Sequence, residues 1–146
     1  MDINSLIVTD EGLAALDNGA WVRDIGGMPG LALKVRGLTS PDVQKAITAK
    51  QAALRAKNKG KPLEAEQLAK TMNEILAEQV LKDWEGIEDA GQPVAYDQAL
   101  AKKWITSRNG EKFASIVLRA AQMVDADANA FVEEAEKTRR PPEVGA

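Results

Sequence analysis

Over residues 31–37 apolar and polar positions alternate. Leu31, Leu33 and Val35 point one way, Lys34 and Arg36 the other, which is the period of a half-buried strand. Residues 20–25 read as a second strand, and Gly26-Gly27-Met28-Pro29-Gly30 between them is a loop by composition. The two strands predict a β-hairpin over about residues 20–37 with one apolar face. An isolated hairpin is marginal in water. This one must therefore pack on helices or join a sheet from a second copy, which would give self-association through its edge.

The remaining pattern is helical. Asp10 is a candidate cap for a short helix carrying Leu13, Ala14 and Leu16, and Asn18-Gly19 stops it. Ser40 followed by Pro41 places a preferred N-cap before a favoured first-turn proline. The helix it opens runs to about Lys57, with Val43, Ile47 and Leu54 as apolar positions, and Asn58-Lys59-Gly60-Lys61-Pro62 breaks it. Leu68, Met72, Ile75, Leu76 and Val80 then share one face of a predicted helix over 63–83. Asp97 caps a short helix with Leu100 and Trp104. After the turn at Ser107-Arg108-Asn109-Gly110, a last helix is predicted over 111–137, with Phe113, Ile116 or Val117, Ala120, Val124 and Phe131 recurring at threes and fours. The expected fold is mainly α-helical α+β: an N-terminal hairpin followed by about four helices. It forms one domain over 1–138 with a disordered tail over 139–146.

Residues 83–96 link the second and third of these helices. Trp84 ends an apolar pattern and is expected to anchor that helix end in a core. Gly86 and Gly91 permit positive φ, Pro93 enforces an extended approach, and Tyr96 leads into the Asp97 cap. No nucleophile stands beside a base in this stretch.

Composition narrows the chemistry. The 146 residues suit one domain, and 45% hydrophobic content with only 4% aromatics implies a core of Leu, Ile, Val and Ala. The absence of cysteine removes disulfides, thiolate nucleophiles and thiolate zinc sites. The absence of histidine removes imidazole ligation and the usual acid–base group near neutral pH. Asp125 and Asp127, spaced i and i+2, do not share a helix face and read as solvated rather than as a magnesium site. The expectation is a non-enzymatic protein with no catalytic residue, cofactor or metal. Nothing resembles a signal peptide or membrane span, so a cytoplasmic protein with no membrane partner is expected. Charge is uneven: residues 34–61 hold eight basic residues and one acidic, whereas 62–101 hold nine acidic and two basic. These halves are suited to face each other. The basic segment has no interleaved aromatics for stacking on bases, so nucleic acid is the alternative partner rather than the main one.

The run Asp83-Trp84-Glu85-Gly86, an acidic turn, Gly91-Gln92-Pro93-Val94 and then Tyr96 before a helix is similar to the tail assembly chaperones of long-tailed bacteriophages. So are Gly19-Ala20-Trp21-Val22, Leu33-Lys34-Val35-Arg36-Gly37-Leu38, Ser40-Pro41, and the last-helix residues Phe113, Ile116, Val117, Ala120, Ala121 and Asn129-Ala130-Phe131. The resemblance covers about residues 13–137. It implies a protein that binds the tape measure protein, keeps it soluble and helps recruit the major tail protein. Such a protein works in the cytoplasm of the bacterial host and is absent from the finished virion. The partner-binding residues expected on this reading are Trp21, Arg23 and Ile25 on one hairpin face, and Phe113, Val117, Val124 and Phe131 on the last helix. The same helix residues are also good core candidates.

Overall fold

The structure, a computed structural model, describes residues 2–136. The expected disordered tail lies outside the described residues. Helix α1 (Asp10–Asn18) begins at Thr9, whose hydroxyl accepts from the Gly12 amide at 3.0 Å. Thr9, not Asp10, is therefore the cap. Strands β1 (Ala20–Arg23) and β2 (Ala32–Val35) form the predicted antiparallel hairpin, with Val22 opposite Leu33 and Trp21 opposite Lys34. Helix α2 (Pro41–Lys57) ends where expected. Ser40 occupies its N-cap position without a side-chain cap bond. Asp125 serves the preceding loop instead. Its carboxylate accepts from the amides of Leu38 and Thr39 at 2.9 and 3.1 Å and from the Thr39 hydroxyl at 2.8 Å. Asp125 thus staples the last long helix to the loop before α2, and is not the solvated side chain its spacing suggested.

The helix expected over 63–83 is shorter. Helix α3 (Ala65–Ile75) widens into a π-helical turn (Leu76–Val80) and continues as strand β3 (Leu81–Glu85). The Arg36 amide donates to the Val80 carbonyl at 3.0 Å, so pairing with β2 starts as the turn ends. β3 runs antiparallel to β2, giving a three-stranded sheet ordered β1-β2-β3. The chain itself thus supplies a partner strand for the hairpin. Lys34 faces Asp83 and the adjacent Val35 faces Leu81, which leaves Lys82 as an extra residue in β3. Such a bulge resets the alternation of faces. Leu81 and Trp84, three apart, are consequently both buried. The helical reading of the segment came from the face through Ile75, Leu76 and Val80, which Trp84, four residues on, extends.

Residues 88–93 form a small hairpin, β4 (Glu88–Asp89) with β5 (Gln92–Pro93). Its two-residue tip, Ala90-Gly91, has φ of 50° and 82°, as a type I′ turn demands. Helix α4 (Gln98–Thr106) is capped by Asp97, which accepts from the Ala99 amide at 2.9 Å. Helix α5 (Glu111–Ala126) stops short of the predicted end. The chain breaks at Asp127, passes through a 3-10 turn (Ala128–Phe131) and enters α6 (Val132–Glu136). Asn129 explains the break. Its amide oxygen accepts from the Thr9 amide and hydroxyl at 2.9 and 3.0 Å, and its amide nitrogen donates to the Ile7 carbonyl at 3.0 Å. A straight helix would carry that side chain past the N-terminal segment it holds.

The main core lies between one sheet face and α5. Ala20, Val22, Leu33, Val35, Leu81 and Trp84 meet Ala114, Val117, Ala120, Ala121 and Val124. Alanines on α5 let that helix approach the sheet closely. The opposite face carries Trp21 and Arg23, with α6 packed against β1. Helices α2 and α3 pack together, and the basic and acidic segments meet there within the chain. Lys50 of α2 pairs with Glu74 and Glu78 at 3.0 and 3.3 Å, and Lys102 of α4 pairs with Glu78 at 2.8 Å. The Lys102 ammonium, then Lys50, hold the Glu78 carboxyl below its ordinary range against the opposing effect of burial.

Two predictions arise from this frame. Ala90 pays the left-handed steric penalty that glycine escapes, so Ala90→Gly is expected to raise stability by about 1 kcal/mol, read as a higher urea midpoint at unchanged slope. A depressed Glu78 pKa contributes stability above the unfolded value of 4.5 and loses it as pH falls through the folded value. Glu78→Gln should therefore cost up to about 1 kcal/mol near neutral pH. The gap between wild type and variant should close in acid.

Candidate functional groove

Trp84 organises the aromatic end of the molecule. The β3 bulge turns its indole to the core face, where 1% is exposed. The indole N–H donates to the Val94 carbonyl at 2.7 Å, which fixes where the chain returns from the small hairpin. The ring stacks on Trp104 of α4, with centroids 5.2 Å apart and planes 12° apart. It meets Tyr96 and Phe113 edge-on at 5.1 and 6.0 Å. Phe113 in turn meets Trp104 edge-on at 5.8 Å. The Tyr96 hydroxyl donates to the Leu81 carbonyl at 3.2 Å. Burial, followed by the charges of Asp83 and Asp97, raises the pKa of that hydroxyl above its ordinary value and keeps it a donor.

In front of this cluster lies an apolar groove of about 480 Å³, within the roughly 300–1,000 Å³ typical of ligand clefts. Met28, Pro29 and Leu31 form one wall, Gly86 and Ile87 a second, and Trp104, Phe113 and Ile116 the third. Ser107, Asn109 and Lys112 supply its polar rim. Gly86, at φ 83°, lies against the Gly30 backbone. A β-carbon there would fall 1.9 Å from the Gly30 carbonyl oxygen, so only glycine lets these two walls meet.

The expected partner-binding residues separate into three places. Trp21 is 1% exposed, on the sheet face that α6 packs against. The Arg23 guanidinium lies 5.5 Å above its ring and pairs with Glu85 of β3 and Glu134 of α6, the latter at 3.0 Å. These two residues do share a face, as the alternation implied, but α6 lies against it. Ile25 does not join them. Asp24 takes a left-handed φ of 54°, and Ile25 turns into the main core through a short 3-10 turn (Ile25–Gly27). Val117 and Val124 are fully buried core residues and Phe131 is half-buried against the core. Phe113 alone of the seven reaches the groove. Of the linker residues, Gly86 lines the groove, Trp84 and Tyr96 support it from behind, and Glu85 faces Arg23. Gly91 and Pro93 lie in the exposed small hairpin. Ile87 was not singled out from sequence; Met28 and Trp104 were read there as a loop residue and as an apolar helix position, and their meeting was not legible because the walls come from three distant segments.

Replacing Trp84 by Phe removes the indole donor and leaves the Val94 carbonyl without it. The expected loss is about 1–3 kcal/mol of stability, measured by chemical denaturation, with reduced near-ultraviolet circular dichroism from the broken stack.

Among the described residues no helix is long and apolar enough to cross a membrane. Neither a curated protein nor a solved structure matches the chain. Residues 38–138 match the family described as YdaY prophage protein. That stretch runs from the loop before α2 past the end of α6. It includes β3, the aromatic cluster and two of the three groove walls, and leaves out the β1–β2 hairpin. Since the match takes in well over half of the chain, this protein belongs to the YdaY prophage protein family.

Proposed function

We propose that this protein is a non-enzymatic phage tail assembly chaperone that holds apolar helical segments of the tape measure protein in the groove. The reading extends to cytoplasmic action in the bacterial host, release of the client as major tail protein is recruited, and absence from the mature virion. The observation that carries it is the groove itself. Aromatic and aliphatic side chains line it, Lys112 is its one charged lining residue among the described residues, and no histidine or cysteine exists in the chain to do chemistry there. Such a surface suits the apolar face of an amphipathic helix. Thioether and aliphatic walls such as Met28 and Ile87 adapt to varied sequences, as a chaperone of a long client requires. Prophage family membership agrees with the reading at the level of origin. The nucleic-acid alternative through residues 34–61 is weaker, because Lys50 is engaged by Glu74 and Glu78, and Arg36 lies 4.0 Å from Asp42.

The test is co-expression with a phage tape measure protein from the same genome, followed by pull-down from the soluble fraction. The client is expected to become soluble and co-purify with the wild type. Met28→Glu, which puts a carboxylate in the groove wall, should reduce recovery at least tenfold. A client that stays insoluble while this protein elutes alone removes the reading. Undiminished recovery with Met28→Glu moves the client elsewhere on the surface.

A further inference from the structure

Arg36 follows β2, and Lys82 is the extra residue of the bulge in β3. The Arg36 amide donates to the Val80 carbonyl, which carries the pairing of the two strands past the bulge. Two cations are thereby set close together on partly buried side chains. The Arg36 side chain is 19% exposed. Its Nε is buried and has no hydrogen-bond partner among the described residues. Its Nη2 lies 4.0 Å from the Asp42 carboxylate, beyond hydrogen-bond length. The Lys82 ammonium forms no ion pair or hydrogen bond with the described residues. Burial pushes its pKa down, the charge of Arg36 pushes it further, and Asp42 opposes the shift without cancelling it.

Charges withdrawn from water are ordinarily paired and hydrogen-bonded. Two other partly buried cations of this chain are. Arg23 is held by Glu85 and Glu134, and Lys50 by Glu74 and Glu78. At Arg36 and Lys82 two cations share one carboxylate, and Asp42 is itself 71% exposed. The next charges along the strands offset each other, because Lys34 stands opposite Asp83. Asp83 Oδ1 also accepts from the Trp84 amide at 2.8 Å. The pair therefore keeps an excess of positive charge.

We propose that Arg36 and Lys82 form a binding site for an oxyanion, either a carboxylate or a phosphate group. A guanidinium presents a planar array of donors and an ammonium a point charge, and oxygens of both anions accept from them. Bulges re-aim side chains in this way beside functional sites. Two cations hold one such group and do not make the long basic track that a nucleic-acid strand requires. The site stands at the other end of β2 and β3 from Leu31 and Gly86, which line the groove, with about 15 Å of strand between them. It does not depend on the client reading.

The test is a backbone-amide NMR titration of the full chain near neutral pH with sodium phosphate and with sodium acetate, each against sodium chloride at equal ionic strength. Arg36 and residues 80–83 are expected to show saturable shifts with phosphate or acetate that chloride does not produce. Tighter saturation by phosphate assigns a phosphate source, and tighter saturation by acetate assigns the carboxylate of an acidic peptide. Lys82→Gln should weaken binding about tenfold. Asp42→Asn should strengthen it about twofold or more, since the competing carboxylate is gone. Arg36→Gln should abolish binding, and Lys82→Gln alone decides if circular dichroism shows that variant unfolded. Absence of shifts beyond those of chloride overturns the proposal. Equal shifts with chloride mark an adventitious ion only and overturn it too, as does binding unchanged in Lys82→Gln.

Discussion

Burying the Trp84 indole with its N–H satisfied is the requirement on which the arrangement of this protein turns. An apolar ring of that size is stable inside only if the donor finds an acceptor. The Val94 carbonyl meets that need. To deliver it, the chain must turn back through the β4–β5 hairpin within ten residues. The ring's faces and edges then decide where Trp104, Tyr96 and Phe113 lie. Helix α4 is set by the stack and the start of α5 by the edge contact. The groove is the space left in front. The bulge at Lys82 is the upstream condition, since without it the strand would turn this ring to the other face.

Much of the fold was legible where local rules act alone. Leu31, Leu33 and Val35 alternate because β2 is central and its core face is apolar, and the Ser40-Pro41 start and the Asp97 cap follow backbone chemistry. Strand β3 was not legible. Leu76, Val80 and Trp84 recur at fours, and a bulge moves Leu81 and Trp84 onto one face at a spacing that periodicity assigns to helix. The break at Asp127 was hidden for a different reason. It answers to Asn129 and its bonds to Thr9 and Ile7, some 120 residues away. Trp21 shows a third limit. Alternation placed it correctly opposite the core face, but whether that face meets solvent depends on α6 returning to it. The groove itself combines the 25–31 loop, Gly86 and Ile87, Trp104 and the start of α5, segments too far apart in sequence for any local pattern to join them.

The two sides of the sheet divide the work. One is a close-packed aliphatic core against α5. The other is an electrostatic closure in which Arg23, over Trp21, joins β3 through Glu85 to α6 through Glu134. That closure lies away from the groove. Among the described residues the large aliphatic side chains left most exposed are Ile3, Leu6 and Ile7, while one ion pair, Lys50 to Glu74, joins α2 to α3.

The stacked pair behind the groove has an optical consequence. Two indoles 5.2 Å apart and nearly parallel couple electronically, and Trp104 also forms part of the groove wall. Trp21 is buried beneath α6 and serves as a steady background. A molecule bound against Trp104 is therefore expected to shift the emission and the near-ultraviolet dichroism of the coupled pair, giving a label-free readout of that groove.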